Sequence, residues 1–169
     1  MMTKPRIFRV MKVADEKPEV GNGSGMLGVR ARDVGLDEDV PNDSPVGPGT
    51  GGMSVGGCLR TIYINLLPRR LAQQDPELFR GAKGANSQKV WSMGSGPYQP
   101  AAFSADLNLR IEEQSEPPGH GLVEPGRAMP LEEFQERLAA TQDEWQVNEE
   151  HTDDCPVCQQ FGLGRPGTP

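Results

Sequence analysis

A chain of 169 residues with 21 glycines, 16 prolines and 35% hydrophobic side chains carries too many helix breakers for a long helical bundle. No stretch reaches the roughly 20 apolar residues of a membrane-spanning helix, and Arg9 and Lys12 interrupt any signal-peptide core near the N-terminus. The net charge of −7 argues against a nucleic-acid partner. What remains is one soluble, cytoplasmic, loop-rich domain, with export by a non-classical route as the alternative. Charge is uneven: residues 1–111 hold 14 basic and 11 acidic side chains, whereas residues 112–169 hold 3 and 13.

Residues 5–13 read as a first strand, with Ile7, Arg9, Met11 and Val13 on one face and Phe8, Val10 and Lys12 on the other. A polar loop follows to Gly25, then a short extended segment over 26–29. Residues 33–57 form a long Gly/Pro/Asp loop, of a length that is usually functional or disordered. Residues 58–67 are β-branched and aromatic enough for a strand ended by Pro68, and 75–80 for one helical turn capped by Asp75. Residues 89–93, 107–111 and 121–124 read as further short strands. A helix begins at Pro130, with Leu131, Phe134, Leu138 and Trp145 at helical spacing and Glu132 and Glu133 in its first turn. Several short strands, few helices and no βαβ alternation predict an α+β fold.

Three features carry chemistry. Gly49, Gly51, Gly52, Gly56 and Gly57 fall within nine residues around Ser54, either as a flexible turn or as a backbone cradle for an anion. Arg9 interrupts an apolar face, which requires either a solvent edge, an ion pair or a bound anion. His120 and Glu124 lie four apart on one strand face, roughly 13 Å from each other, so they can line one cleft without forming a dyad. Glu112 and Glu113 are alternative sources of a carboxylate.

Taken in order, four stretches resemble the NAD-dependent effector toxins of type VI secretion. They are residues 7–10; Leu27 to Arg30 with Asp33 and Val34; Gly51 to Val55; and residues 120–125 with Met129 before a helix. The resemblance covers most of residues 7–145 and rests on order and spacing. It implies an ADP-ribosyltransferase-like split mixed β-sheet with long Gly/Pro-rich loops, acting on NAD as substrate. It implies that Arg9, Gly51, Gly52 and Ser54 form the NAD cleft, and that a macromolecule or water accepts ADP-ribose. An immunity protein is the partner it implies. The family carries Thr-Ser where this chain has Met53-Ser54, so only Ser54 carries over. Ser54, His120 and Glu124 are the candidate catalytic residues, Glu124 on chemical grounds, since a carboxylate beside the ribose stabilises the developing positive charge.

Three cysteines cannot form a closed disulfide set, which suits a reducing compartment. His151, Cys155 and Cys158 have the spacing of three zinc ligands, with Cys58 or His120 as a distant fourth. The reading adopted is an ADP-ribosyltransferase-like domain over 1–148 and a disordered acidic, Cys-containing tail over 149–169, with no metal. A non-catalytic interaction protein that keeps the fold and a small zinc-stabilised module are the alternatives.

Overall fold

A computed structural model describes residues 4–163 apart from Ser24, Ala105, Glu113 and Glu116, and apart from the side chains of Phe103 and Ser104. In chain order the elements are β1 (Ile7–Met11), β2 (Val13–Ala14), β3 (Lys17–Pro18), β4 (Pro45–Val46), β5 (Met53–Val55), α1 (Arg69–Gln74) and β6 (Lys89–Met93). They continue with β7 (Ala101–Ser104), β8 (Leu107–Glu112), β9 (His120–Pro125), β10 (Met129–Pro130), α2 (Leu131–Ala139), β11 (Gln146–Val147) and α3 (Pro156–Gln160). The fold is α+β, mostly strands with few helices.

Two sheets dominate, one ordered β1-β6-β11 and the other β5-β9-β8-β7. Every ladder in them is antiparallel, so the expected mixed sheet is not what forms. Among the described residues, parallel pairing is confined to isolated bridges such as Pro5 with Gly96 and Val20 with Leu27. The sheets touch where the Phe8 and Gly56 backbones exchange two hydrogen bonds of 2.7 and 2.9 Å. Beyond that single bridge β1 and β5 part, and the split between them opens a cleft.

The alternation predicted for β1 decides how the core divides. Ile7 and Met11 join one apolar cluster with Met53, Val55, Leu109, Val123 and the buried face of α2. Phe8 and Val10 face the opposite way into a second cluster with Leu59, Ile62, Leu67, Leu71 and Phe79. This second cluster explains a difference from the sequence reading. Residues 58–67 form two 3₁₀ turns, Leu59–Thr61 and Ile64–Leu66, rather than a strand. A short apolar run fits either state, and covering the outer face of β1 and β6 outweighs β-propensity here. Thr61 fixes the first turn, its hydroxyl accepting from the amides of Gly57 and Cys58 at 2.8 and 3.2 Å.

Other local readings also shift. The predicted turn at 75–80 stays a turn, with the Leu78 amide donating to Asp75 Oδ1, and the helix lies just before it in α1. The segment 26–29 makes one isolated bridge, Leu27 with Val20, instead of a strand. The long loop contains β4 and β5. α2 forms as expected and buries Leu131, Phe134 and Leu138. Trp145 lies beyond it, yet packs into the same cluster.

The expected disordered tail is corrected over 149–163. Cys155 and Cys158 are buried, α3 forms, and Glu149 is tied into the first sheet. Both Glu149 oxygens accept from Arg70 at 2.6 Å, and Oε2 also accepts from the Val90 amide at 3.0 Å. Residues 164–169 lie outside the described residues. No helix among the described residues is long and apolar enough to cross a membrane.

Burial works to raise the Glu149 pKa, but the Arg70 fork and the Val90 amide outweigh it and the pKa is lowered. A depressed carboxylate contributes stability above its unfolded pKa, near 4.3, and loses it as pH falls through the lowered folded value. Glu149→Gln is therefore expected to be less stable than the parent at pH 7. Its deficit should shrink as the pH falls below about 4. Urea titrations across that range check this, and a deficit independent of pH would contradict it.

Candidate functional site at the split between the sheets

The second sheet has one apolar and one polar face. Met53, Val55, Leu109 and Val123 point into the core, while the alternate positions Ser54, Glu112 and His120 occupy the other side. The Met53 side chain is thus a core group, and strand alternation gives Ser54 alone of the pair to the polar side. Ser54 pairs with Leu122 and His120 with Glu112 across the ladders. β9 therefore brings its first residue between a hydroxyl on one neighbour and a carboxylate on the other.

The result is a hydrogen-bonded chain. Ser54 Oγ contacts His120 Nε2, and His120 Nδ1 lies 2.9 Å from Glu112 Oε1. With Glu112 as a carboxylate and the imidazole neutral, Nδ1 donates to Glu112 and Nε2 presents its lone pair to the serine hydroxyl. His120 is buried at 5% exposure, and the Tyr63 ring tilts over it with centroids 4.9 Å apart. Ser115 closes the β8–β9 turn, its hydroxyl accepting from the His120 amide at 3.1 Å and donating to the Glu112 carbonyl at 2.7 Å.

Arg9 lies beside this chain. Its Nε and Nη2 donate to the Met26 carbonyl at 3.1 and 2.9 Å, and Nη1 donates to the Ser54 carbonyl at 2.6 Å. The side chain thus ties β1, β5 and the 26–29 segment together at the split. Three of its five N–H groups are bonded among the described residues. Burial lowers its pKa to about 10, with Asp33 opposing and Arg30 adding to the fall, so it stays cationic at neutral pH.

No family model, curated protein or solved structure matches this chain. The site therefore has to be read from its own geometry.

Arg9, Ser54, Tyr63 and His120 line one cavity of about 290 Å³, together with Arg30 and Asp33. That is just under the roughly 300–1,000 Å³ typical of ligand pockets. Arg30 is committed to Asp33, with Nη2 3.1 Å and Nε 3.2 Å from its carboxylate oxygens. The charged lining groups are the two guanidiniums and the Asp33 carboxylate, with the Glu112 carboxylate behind the His120 ring.

Two candidate residues sit elsewhere. Glu124 does not line this cavity; it is buried and accepts from the Gly49 amide at 3.0 Å, pinning the glycine loop. Gly51 has a positive φ of 129°, and a Cβ there would meet the Asp33 carbonyl oxygen at 2.1 Å. Gly52 does border the cavity, but a Cβ on it would meet the Val123 oxygen at 2.2 Å. These two glycines permit chain to pack on chain. Of the alternative carboxylates, Glu112 is the one that reaches His120, and Glu113 lies outside the described residues.

Tyr63 is the residue that sequence reasoning did not single out, and Glu112 stood only as one of two alternative carboxylates with no partner assigned to it. A signal for Glu112 was present. Reading 107–111 and 121–124 as one hairpin would have set Glu112 opposite His120. Tyr63 had no such signal, because its place depends on the 3₁₀ turns.

Proposed function

We propose that the cleft binds NAD and breaks its nicotinamide–ribose bond, in the manner of an ADP-ribosyltransferase-like toxin. Arg9, Ser54 and His120, from three separate strands, line one cleft at the split between two sheets, and this convergence supports the reading. Arg9 offers its two remaining N–H groups to a phosphate or ribose oxygen and positions without reacting. Nicotinamide leaves with the electron pair of the glycosidic bond, and an acceptor oxygen bonds to the ribose carbon. The acceptor's proton passes to His120 Nε2, directly or through the Ser54 hydroxyl, while Glu112 stabilises the imidazolium that results. The acceptor is a macromolecule or water, and an immunity protein is the partner that this reading expects. Glu124 has no part in it.

The test is nicotinamide release from NAD by the purified chain, followed by chromatography, with Ser54→Ala in parallel. Release by the parent and its loss in a folded Ser54→Ala variant are the expected results. No release and no NAD binding by a folded parent would overturn the proposal.

The Ser54–His120–Glu112 chain also favours a second reading, in which Ser54 is an acyl-transfer nucleophile. Against it, the nearby amides of Gly56 and Gly57 donate to Phe8 and Thr61, so they form no oxyanion pair. Covalent labelling of Ser54 by a fluorophosphonate would support the acyl-transfer reading over the NAD one.

A further inference from the structure

The chain's three cysteines lie far from the cleft chemistry in role but meet at one point. Cys58 follows β5, whereas Cys155 and Cys158 belong to α3 and its N-terminal cap, almost 100 residues later. All three are unpaired and buried, and they form a small cluster of their own. His151 completes the group: one ligand atom from each of the four residues lies within 4.8 Å of the others. The Cys58 and Cys158 sulfurs are 3.8 Å apart, and His151 Nε2 is 3.2 Å from the Cys158 sulfur. His151 Nδ1 is buried without a hydrogen-bond partner among the described residues.

These distances have a chemical meaning. In a tetrahedral zinc site with Zn–S bonds of about 2.3 Å, two sulfurs sit about 3.8 Å apart, far beyond a disulfide bond of about 2.0 Å. One disulfide would leave the third thiol and the imidazole buried and unused. Three thiolates with one imidazole form a donor set that zinc favours over hard, oxygen-seeking cations. The fourth ligand is Cys58 and not His120, whose two ring nitrogens are engaged by Ser54 and Glu112.

We propose that Cys58, His151, Cys155 and Cys158 bind one structural Zn²⁺ that fastens the 149–163 segment to the end of β5. On binding, three thiol protons pass to solvent and the imidazole lends its lone pair; no electron changes hands. All four positions are filled by protein, so the site is closed to substrate and its role is to hold the chain. The zinc does for this segment what a larger apolar core would otherwise do, since few residues around α3 are available for burial.

Metal analysis of the full chain, purified under reducing conditions with zinc supplied and then desalted, tests this without any activity readout. About one zinc per chain is expected, with its removal by a strong chelator lowering Tm by about 10 °C. Cys58→Ser and Cys158→Ser should each lose the retained zinc. Should either variant fail to fold, Co²⁺ substitution of the parent chain gives an independent readout. Intense tetrahedral cobalt bands with sulfur-to-cobalt charge transfer are expected. A folded parent that retains no zinc, or retains it equally in Cys58→Ser, overturns the proposal. So does a cobalt spectrum without thiolate bands.

Discussion

Replacing His120 by alanine is expected to slow nicotinamide release by about 10²–10⁴-fold while NAD still binds. The imidazole is held from both sides, by Ser54 at Nε2 and by Glu112 at Nδ1, in the proton-accepting tautomer. Removing it leaves the Arg9 contacts to Met26 and Ser54 intact, since none of them passes through the ring. The loss should therefore fall on kcat, with KM nearly unchanged. Ser54 and His120 act as a unit, so the double variant Ser54→Ala/His120→Ala should be scarcely slower than the worse single variant. Glu112→Gln can still bond Nδ1 but no longer stabilises the imidazolium, and a smaller loss is expected. Steady-state kinetics on folded variants decide the matter. A His120→Ala variant with parental kcat would remove the imidazole from the proposed mechanism.

The largest stability loss is expected at Trp91. It lies in β6, the central strand of the first sheet, opposite Arg9 on one side and Val147 on the other. The side chain is 2% exposed, and its indole Nε1 donates to the Met11 carbonyl at 3.1 Å. Truncation to alanine removes a large apolar volume and opens a cavity in the main core, at a cost of about 3–5 kcal/mol. It also leaves the Met11 carbonyl without its donor. Trp91→Phe keeps much of the ring volume and loses the donor, so it isolates the second effect at about 1–3 kcal/mol. Urea unfolding of the three proteins measures both steps. A loss below 1 kcal/mol in Trp91→Ala would mean that the core collapses onto the vacancy.

The polar side chains of the cleft were partly visible before any fold was known. Arg9 stood out because it interrupts an apolar strand face, and Ser54 because it follows a run of glycines. The sequence places His120 and Glu124 on one strand face, too far apart to pair, and the carboxylate that reaches His120 lies across the ladder at Glu112. Intrastrand spacing is printed in the sequence; cross-strand register depends on how the intervening loop closes, here on Ser115. The glycines misled for a related reason. Their excess fits a ligand cradle as well as it fits close packing, and only the nearness of the Asp33 and Val123 carbonyls distinguishes the two.

The α+β class, β1 with its two-faced alternation, β6, β8, β9 and the amphipathic α2 are encoded in local hydrophobic period and breaker placement. Two other features depend on contacts between segments distant in the chain. Residues 58–67 give up a strand to cover the second apolar cluster. Residues 149–163 pack, because Arg70 and Val90 supply partners for Glu149, and Cys58 meets Cys155 and Cys158. Part of the glycine excess also acquires a cause. At Gly28, Gly51, Gly52, Gly84 and Gly94 a Cβ would meet backbone oxygen of another segment at 2.0–2.2 Å, and such approaches join residues that no local pattern pairs.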